Sequence, residues 1–338
     1  VRVSIVINPK AGSVNPGLIE EKIRSALFRC DLVFSKSKTL EEMDQFLCDE
    51  LAQKTDYFLI CGGDGTVNSC LRYLVKAEAD FTKIPPIAVV RSGTANDLAH
   101  AIGISRRIDQ AVRNILEGSV RNIDIIQITS GDKKAYMLTN GGLGIPALTA
   151  DLANKVRHGL QKASNCPNTR NVFKAIAGNG YELLKKIGPG VYSLMVAEAL
   201  RTWDDEGWEL EFEVPGKHPF VTNASIVLVN NQPRIGDKFL PAPFTSNADG
   251  TVNLLLAEGA HLRDHLSSFL HLKNGTVSQS NRFKSYELKE FKVRAKNSKR
   301  PMTFFGDGEV LFKDVSELSI KCLHKGLPVV VGASQWEK

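Results

Sequence analysis

Tyr57-Phe58-Leu59-Ile60-Cys61, followed at once by Gly62-Gly63-Asp64-Gly65-Thr66, is the stretch that decides the fold. An unbroken apolar run leaves no polar face, which suits a strand covered on both sides in a parallel sheet. The glycines then let the chain turn sharply into a helix reaching about Lys76. The same unit recurs on either side. Val3 to Ile7 ends in Asn8-Pro9-Lys10-Ala11-Gly12, and Asn15-Pro16 supplies an N-cap and a first-turn proline for a helix to about Arg29. Leu32-Val33-Phe34 leads to Thr39 and Glu42, spaced as a capping box ahead of a helix with Leu40, Met43, Phe46, Leu47 and Leu51 on one face. Ile87 to Val90 exits through Ser92-Gly93-Thr94-Ala95-Asn96-Asp97. This alternation predicts an α/β domain with a parallel sheet, whose exit loops gather at the carboxyl ends of the strands, where ligands bind.

Near Arg121 the rhythm changes. Ile123 to Ile128, Tyr136 to Thr139, Tyr192 to Trp203, Glu209 to Val214, Ala224 to Asn230, Val252 to Ala257, Phe283 to Val293 and Leu318 to Leu323 read as strands, several of them alternating. A β-rich, antiparallel second domain is expected, interrupted by helical segments at roughly 145 to 187 and 261 to 272. The division that follows is 1–123 for the α/β domain and 124–314 for the β-rich one, with about 315–338 returning to the first. A length of 338 residues agrees with two domains of ordinary size.

Composition narrows the partners. Hydrophobic residues at 43% and charged residues at 24% place the chain among globular proteins and exclude collagen, extended disorder and a disulfide miniprotein. The net charge of +6 favours anionic partners but is too small to indicate nucleic acid, and aromatic residues are not interleaved with the basic runs. Six cysteines form no Cys-x-x-Cys pair, which points to a reducing cytoplasm, so the sequons at Asn223 and Asn274 are discounted. No apolar stretch approaches the ~20 residues of a spanning helix, so any membrane contact is expected to be peripheral.

The glycine loops carry the chemistry. Gly62 to Thr66 between strand and helix can cradle a phosphate, because glycines admit the ligand to the backbone and the helix start offers amide donors. Asp64 is then free to hold Mg²⁺. Read alone, the same pentapeptide is better taken as a glycine turn with Asp64 capping the helix. Gly93 to Asp97 repeats the layout one strand later, and Asn8 to Gly12 adds a third small polar loop, so joint use is the better reading. No Walker A lysine, GxGxxG, GxSxG or HExxH is present, and His261 with His265 reads as one face of a partly exposed helix rather than a zinc site.

Asn-Pro-Lys-Ala-Gly at 8 to 12, Gly-Gly-Asp-Gly-Thr-Val-Asn at 62 to 68, Gly-Thr-Ala-Asn-Asp-Leu-Ala at 93 to 99 and Gly-Asp-Gly-Glu at 306 to 309 resemble, in order and spacing, the motifs of the diacylglycerol kinase catalytic family, which includes bacterial soluble lipid kinases and sphingosine and ceramide kinases. The resemblance implies an NAD-kinase-like nucleotide domain and a β-rich second domain of antiparallel sandwich type, with ATP between them and a lipid such as diacylglycerol as acceptor. It implies ATP contacts from Asn8, Pro9, Lys10, Ala11, Gly12, Thr39, Gly62, Gly63, Asp64, Gly65, Thr66, Val67, Asn68, Thr94, Asn96 and Asp97. Asp64 and Asp97 would stand near the catalytic Mg²⁺. Thr39 is equally an N-cap, and Asp97 equally a buried acceptor near a helix start.

Transfer to an alcohol needs a carboxylate within reach of the hydroxyl, and the resemblance makes that Glu309 with Asp307 as partner, their roles exchangeable. Pro241-Ala242-Pro243-Phe244 through Thr251 is similar to the family's structural Mg²⁺ segment, implying Asp249 with main-chain oxygens of Ser246 and Thr251; Asp249-Gly250 is equally a turn before a strand. Leu98, His100 and the Asp-less segment Gly141 to Ala147 depart from the family pattern in the part concerned with the acceptor. Asp151 to Gly190 is basic and amphipathic, a solvated face or an interfacial helix pair, whereas Arg282 to Arg300 reads as an exposed strand face. The expectation is a lipid kinase at the inner membrane surface, with a homodimer open; an NAD-kinase-like small-molecule kinase and a non-catalytic nucleotide or lipid sensor are the alternatives.

Overall fold

The computed structural model describes all of the chain except residues 10–14, 38, 78–79, 94–95, 165–194, 205, 207, 237–238, 260 and 333–338. Four parallel strands, β1 (Arg2–Ile7), β2 (Asp31–Phe34), β3 (Tyr57–Gly62) and β4 (Ile87–Arg91), stand in the order β2-β1-β3-β4. Helices α1 (Pro16–Ala26), α2 (Leu40–Ala52), α3 (Asp64–Ala77), α4 (Asp97–Ala101) and α5 (Ile108–Glu117) accompany them. Val3, Ile5, Leu59 and Ile60 are buried with Ile23, Leu47, Leu71 and Val112, so both faces of the sheet are covered. Asn15 caps α1 through Gly17 N at 2.9 Å, with Pro16 just inside, and Thr39 caps α2 through Glu42 N at 3.2 Å.

Two long strands carry the chain between its halves. β5 (Ser119–Ser130) pairs antiparallel along β16 (Glu317–Val331), and the far end of β16 lies parallel to β4 at Val329 and Ile87. Ile123, Leu327 and Val329 belong to the α/β core, whereas Ile126, Ile128, Leu318 and Ile320 belong to a second core. A register shift between Leu323 and Leu327, where Lys325 is left-handed at φ 51°, marks the crossing.

The second core lies between two sheets. One side is the continuation of the first sheet through β13 (Glu290–Ala295), β8 (Leu210–Glu213) and β9 (Phe220–Thr222), with β6 (Lys133–Met137) beside β5. The other is a six-stranded antiparallel sheet in the order β12 (Phe283–Leu288), β11 (Val252–Ala257), β10 (Ile226–Asn230), β7 (Asn140–Gly144), β14 (Met302–Gly306), β15 (Glu309–Val315). Phe212, Phe291 and Phe304 fill the space between them. The outer face of the six-stranded sheet is covered by α6 (Ile145–Ser164), α7 (195–202 among the described residues) and α8 (Leu262–Asn274).

Several expectations are corrected. Tyr192 to Trp203 is not a strand where it is described: 195–202 is helical, and Val196, Ala199 and Leu200 fall at helical spacing on its buried side. Phe283 to Val293 is two strands broken at Lys289, one in each sheet. β15 and β9 were not anticipated, and β7 is a strand although three of its five residues are glycines. The helix carrying His265 is partly exposed as expected, but the two histidines do not share a face: His261 is the N-cap and His265 is buried against Ser225. Of the helical segment expected at 145 to 187, α6 accounts for 145–164 and the remainder lies outside the described residues.

Candidate active site

Strands β1, β3 and β4 end side by side, and their exit loops interlock. The first turn of α3 closes on Gly63, whose carbonyl accepts from Thr66 N at 2.9 Å and Val67 N at 3.1 Å. Gly63 meets Gly93 backbone to backbone: a Cβ on Gly63 would stand 3.0 Å from Gly93 Cα, and one on Gly93 would overlap Gly63 outright. Asn96, left-handed at φ 55°, grips Gly93 from both sides, accepting from its N at 2.9 Å and donating to its O at 2.7 Å. Asp64 Oδ1 accepts from Leu98 N at 3.1 Å, which fastens the second loop to the first. Asn8 Nδ2 donates to Thr66 Oγ1 at 2.9 Å and brings in the third. Asp97 Oδ2 accepts from Gly236 N at 2.9 Å, a bond into the β-rich half.

The acidic turn comes from that half. Gly306 pairs with Glu309, so Asp307-Gly308 is a two-residue hairpin turn with φ of 52° and 80°, the twist that suits a type I′ connection. The turn sends the two carboxylates to different fates. Asp307 is buried and accepts from Leu138 N at 3.0 Å, Thr139 N at 2.8 Å, Thr139 Oγ1 at 2.6 Å and Asn68 Nδ2. Burial raises its pKa above the usual carboxylate value, against the pull of the Thr139 and Leu138 donors and with the charge of Asp64 adding to the rise. Glu309 opens β15 half-buried, its Oε1 3.9 Å from the point where a Cβ on Gly65 would stand. The late acidic turn therefore faces the glycine loop at the start of α3.

Residues 2–128 match the family model described as the diacylglycerol kinase catalytic domain, and residues 177–329 match the one described as the YegS C-terminal NAD kinase beta sandwich-like domain. The chain belongs to the diacylglycerol kinase catalytic family. The lipid kinase YegS of Escherichia coli (strain K12) is 33% identical over 103 residues, which is 30% of this chain and 33% of that protein. A candidate lipid kinase of Staphylococcus carnosus (strain TM300) is 23% identical over 251 residues, covering 72% of this chain and 69% of the relative. The crystal structure of a diacylglycerol kinase from Bacillus anthracis str. Sterne shares the fold at TM-score 0.68 and 21% identity, with 98% of both chains covered. Yeast NADH kinase complexed with NADH shares it at TM-score 0.50 and 12% identity, over 97% of this chain and 82% of that one. The family's two-part architecture, an NAD-kinase-like α/β half and a β sandwich, is the one described above.

Not every residue singled out from sequence stands at the family's cleft in the same way. Gly62, Gly63, Asp64, Gly65, Thr66, Asn8 and Asp97 are gathered at the strand ends, with exposed Pro9 following Asn8. Val67 is a core residue, Asn96 is occupied by Gly93, and buried Asn68 is spent on Tyr136 O at 3.2 Å, Asp307 and Arg72 Nε at 2.7 Å. Thr39 is engaged as the α2 cap. Lys10, Ala11, Gly12 and Thr94 lie outside the described residues. Asp249 closes its own turn, accepting from Ser246 N at 3.3 Å, Thr251 N at 2.9 Å and Thr251 Oγ1 at 2.8 Å.

Sequence reasoning missed the supports. Thr139 and the Leu138 amide hold Asp307, and fully buried Asp124 holds the 246–251 turn to β16, accepting from Gly250 N at 2.8 Å, Lys325 N at 2.7 Å and His324 Nδ1 at 2.9 Å. Asp124 had a signal: a lone carboxylate inside the apolar run Ile123 to Ile126 cannot be buried without partners.

Proposed function

We propose that the chain transfers the γ-phosphoryl group of ATP to the hydroxyl of a lipid, with diacylglycerol as the first acceptor to test. The observation that carries this reading is the position of Glu309, delivered by the β-rich half to within 3.9 Å of the space beside Gly65. A phosphate seated on the amides of the 62–66 loop at the α3 N-terminus would have a carboxylate on its open side. The acceptor oxygen forms a bond to the γ-phosphorus, the bond to the β,γ-bridging oxygen breaks, and Glu309 takes the hydroxyl proton as ADP leaves. Asp307, with its oxygens engaged, holds the turn and is a positioning residue rather than the base. Among the described residues no group of three or more His, Cys, Asp or Glu could hold a metal by itself. The oxygen donors of Asp64 and Asp97 fit Mg²⁺, which keeps phosphate and water ligands alongside one or two carboxylates. When bound, the ion would neutralise charge on the phosphates. Asp249, with the main-chain oxygens of Ser246 and Thr251, is the proposed place for a second, structural Mg²⁺.

No helix among the described residues is long and apolar enough to cross a membrane. The fold shared with yeast NADH kinase supports a second reading, phosphorylation of a dinucleotide. Labelled ATP offered with diacylglycerol, other lipid alcohols or NAD, with and without Mg²⁺, separates the two. Label in lipid only is expected. Label in NAD only would overturn the proposal, and nucleotide binding without any product would leave a sensor.

A further inference from the structure

Helix α8 is amphipathic in the reverse sense. The side it turns inward carries Asp264, His265, Ser268 and Leu272, whereas Leu262, Leu266 and Leu270, one turn apart, are 54%, 47% and 55% exposed. The inward polar groups are held in place. His265 Nδ1 and Ser225 Oγ share a hydrogen bond of 3.1 Å, and Asp264 accepts from His261 N at 3.2 Å and pairs with Arg282 at 2.8 Å. Rotating the helix to bury its leucines would break these bonds, so the apolar row stays outward.

The row borders an apolar groove of about 290 Å³ between α7 and α8, lined by Val196, Leu200, Leu262, Leu266 and Phe269, with Arg201 as its charged member. Cations outnumber acids around it. Arg263, 83% exposed, and exposed Lys273 lie on α8 itself, while each nearby acid is matched by a cation: Glu198 by the same Arg201, Asp264 by Arg282 and, at 3.8 Å, by Arg263, and Glu258 by Lys284. Leucines ringed by Lys and Arg complement an anionic lipid surface, which takes apolar side chains into its boundary and cations at its headgroups. The same helical layer reaches the acidic turn: Phe305, next to Gly306, packs within it, and Asn154 of α6 donates to Gly308 O at 3.4 Å.

We infer that the leucine row of α8 and the adjoining groove are the surface on which this chain rests against an anionic bilayer. The purpose of that contact rests on the lipid kinase reading, but the contact itself is measurable without turnover. Co-sedimentation with phosphatidylcholine vesicles containing phosphatidylglycerol, without ATP, is compared for the wild-type chain, for Leu262→Gln/Leu266→Gln/Leu270→Gln, and for Arg263→Glu/Lys273→Glu. Both variants are expected to bind at least about tenfold more weakly. Because every replaced side chain is exposed, melting temperatures within about 2 °C of wild type are expected and show that folding is not the cause.

Equal vesicle binding by the wild type and the leucine variant overturns the inference. So does a leucine variant that turns a dimer into a monomer and still binds vesicles, since the row would then join two copies. Wild-type binding lost on leucine substitution, in a chain that phosphorylates no lipid, would retire the kinase reading and leave the surface standing.

Discussion

Asn68 in the first turns of α3 donates a hydrogen bond to the carboxylate of Asp307 in the β14–β15 turn, 239 residues later in the chain. It links the two halves of the cleft by side chains buried from solvent. Asn68→Ala removes one donor to a buried carboxylate, at a cost of about 1 to 3 kcal/mol in urea unfolding. A double-mutant cycle with Asp307→Asn tests the link, and additive effects would contradict it.

Asp307 also sets a pH dependence. Its folded pKa is raised above the unfolded value by burial, so the native state holds the proton more tightly. Its stabilising contribution is then fully present below the unfolded pKa near 4 and is lost as pH rises through the folded one. Urea midpoints between pH 3.5 and 8 should fall for the wild type relative to Asp307→Asn as pH rises. A relative rise would mean that the donors from Leu138, Thr139 and Asn68 outweigh burial.

Glu309 is the proposed proton acceptor, and its replacement should act on turnover. Glu309→Gln keeps size and is expected to lower kcat by about 10² to 10⁴ with the KM for ATP within about threefold. Steady-state kinetics with the accepted lipid checks this. A large rise in the ATP KM with kcat intact would make Glu309 a binding residue instead.

Gly93→Ala forces the exit loops of β3 and β4 apart, because its Cβ would collide with backbone that cannot move aside cheaply. Nucleotide binding should fall at least tenfold, with a stability loss of about 1 to 3 kcal/mol. Calorimetric titration of ATP and a thermal melt read the two effects. The added Cβ at Gly216, which meets nothing within 4 Å, serves as the control for a glycine substitution without collision, although its positive φ adds strain.

Burial raises the pKa of Cys61, pushes that of Cys70 up to about 12 and that of Cys322 up to about 12. At pH 8 these thiols stay protonated and shielded, whereas Cys30 and Cys48 are partly exposed. Alkylation of the native chain followed by peptide mapping should label Cys30 and Cys48 ahead of Cys61, Cys70 and Cys322, which stay protected until unfolding. Early labelling of Cys61 would show that the α/β core opens locally.

The local signals in the sequence were strong where one periodicity dominated. The unbroken apolar run at 57–61, closed by glycines, is the buried strand it suited, and Val252 to Ala257 is the strand its pattern indicated. Weaker stretches failed for identifiable reasons. Across Lys289 the apolar positions shift phase, from Tyr286 and Leu288 to Phe291 and Val293, and a reading of one unbroken strand passes over this local sign that the two strands enter different sheets. Met195 to Trp203 holds both strand-like and helix-like residues, and burial against the six-stranded sheet selected the helix.

Residue types and their order were enough to determine a strand–glycine–helix unit, a second antiparallel half and the acidic residues that chemistry would need. They are local properties: apolar period, glycine at a sharp turn, oxygen donors beside an anion site. Which carboxylate is buried and which faces the loop was decided by tertiary structure alone. The hairpin twist turns Asp307 toward the amides of Leu138 and Thr139, between β6 and β7, and leaves Glu309 opposite Gly65, and both partners are brought there by elements remote in the chain. The outward leucines of α8 have the same origin, since only the bonds of Ser225 and Arg282 to its inward face settle which side of the helix meets solvent.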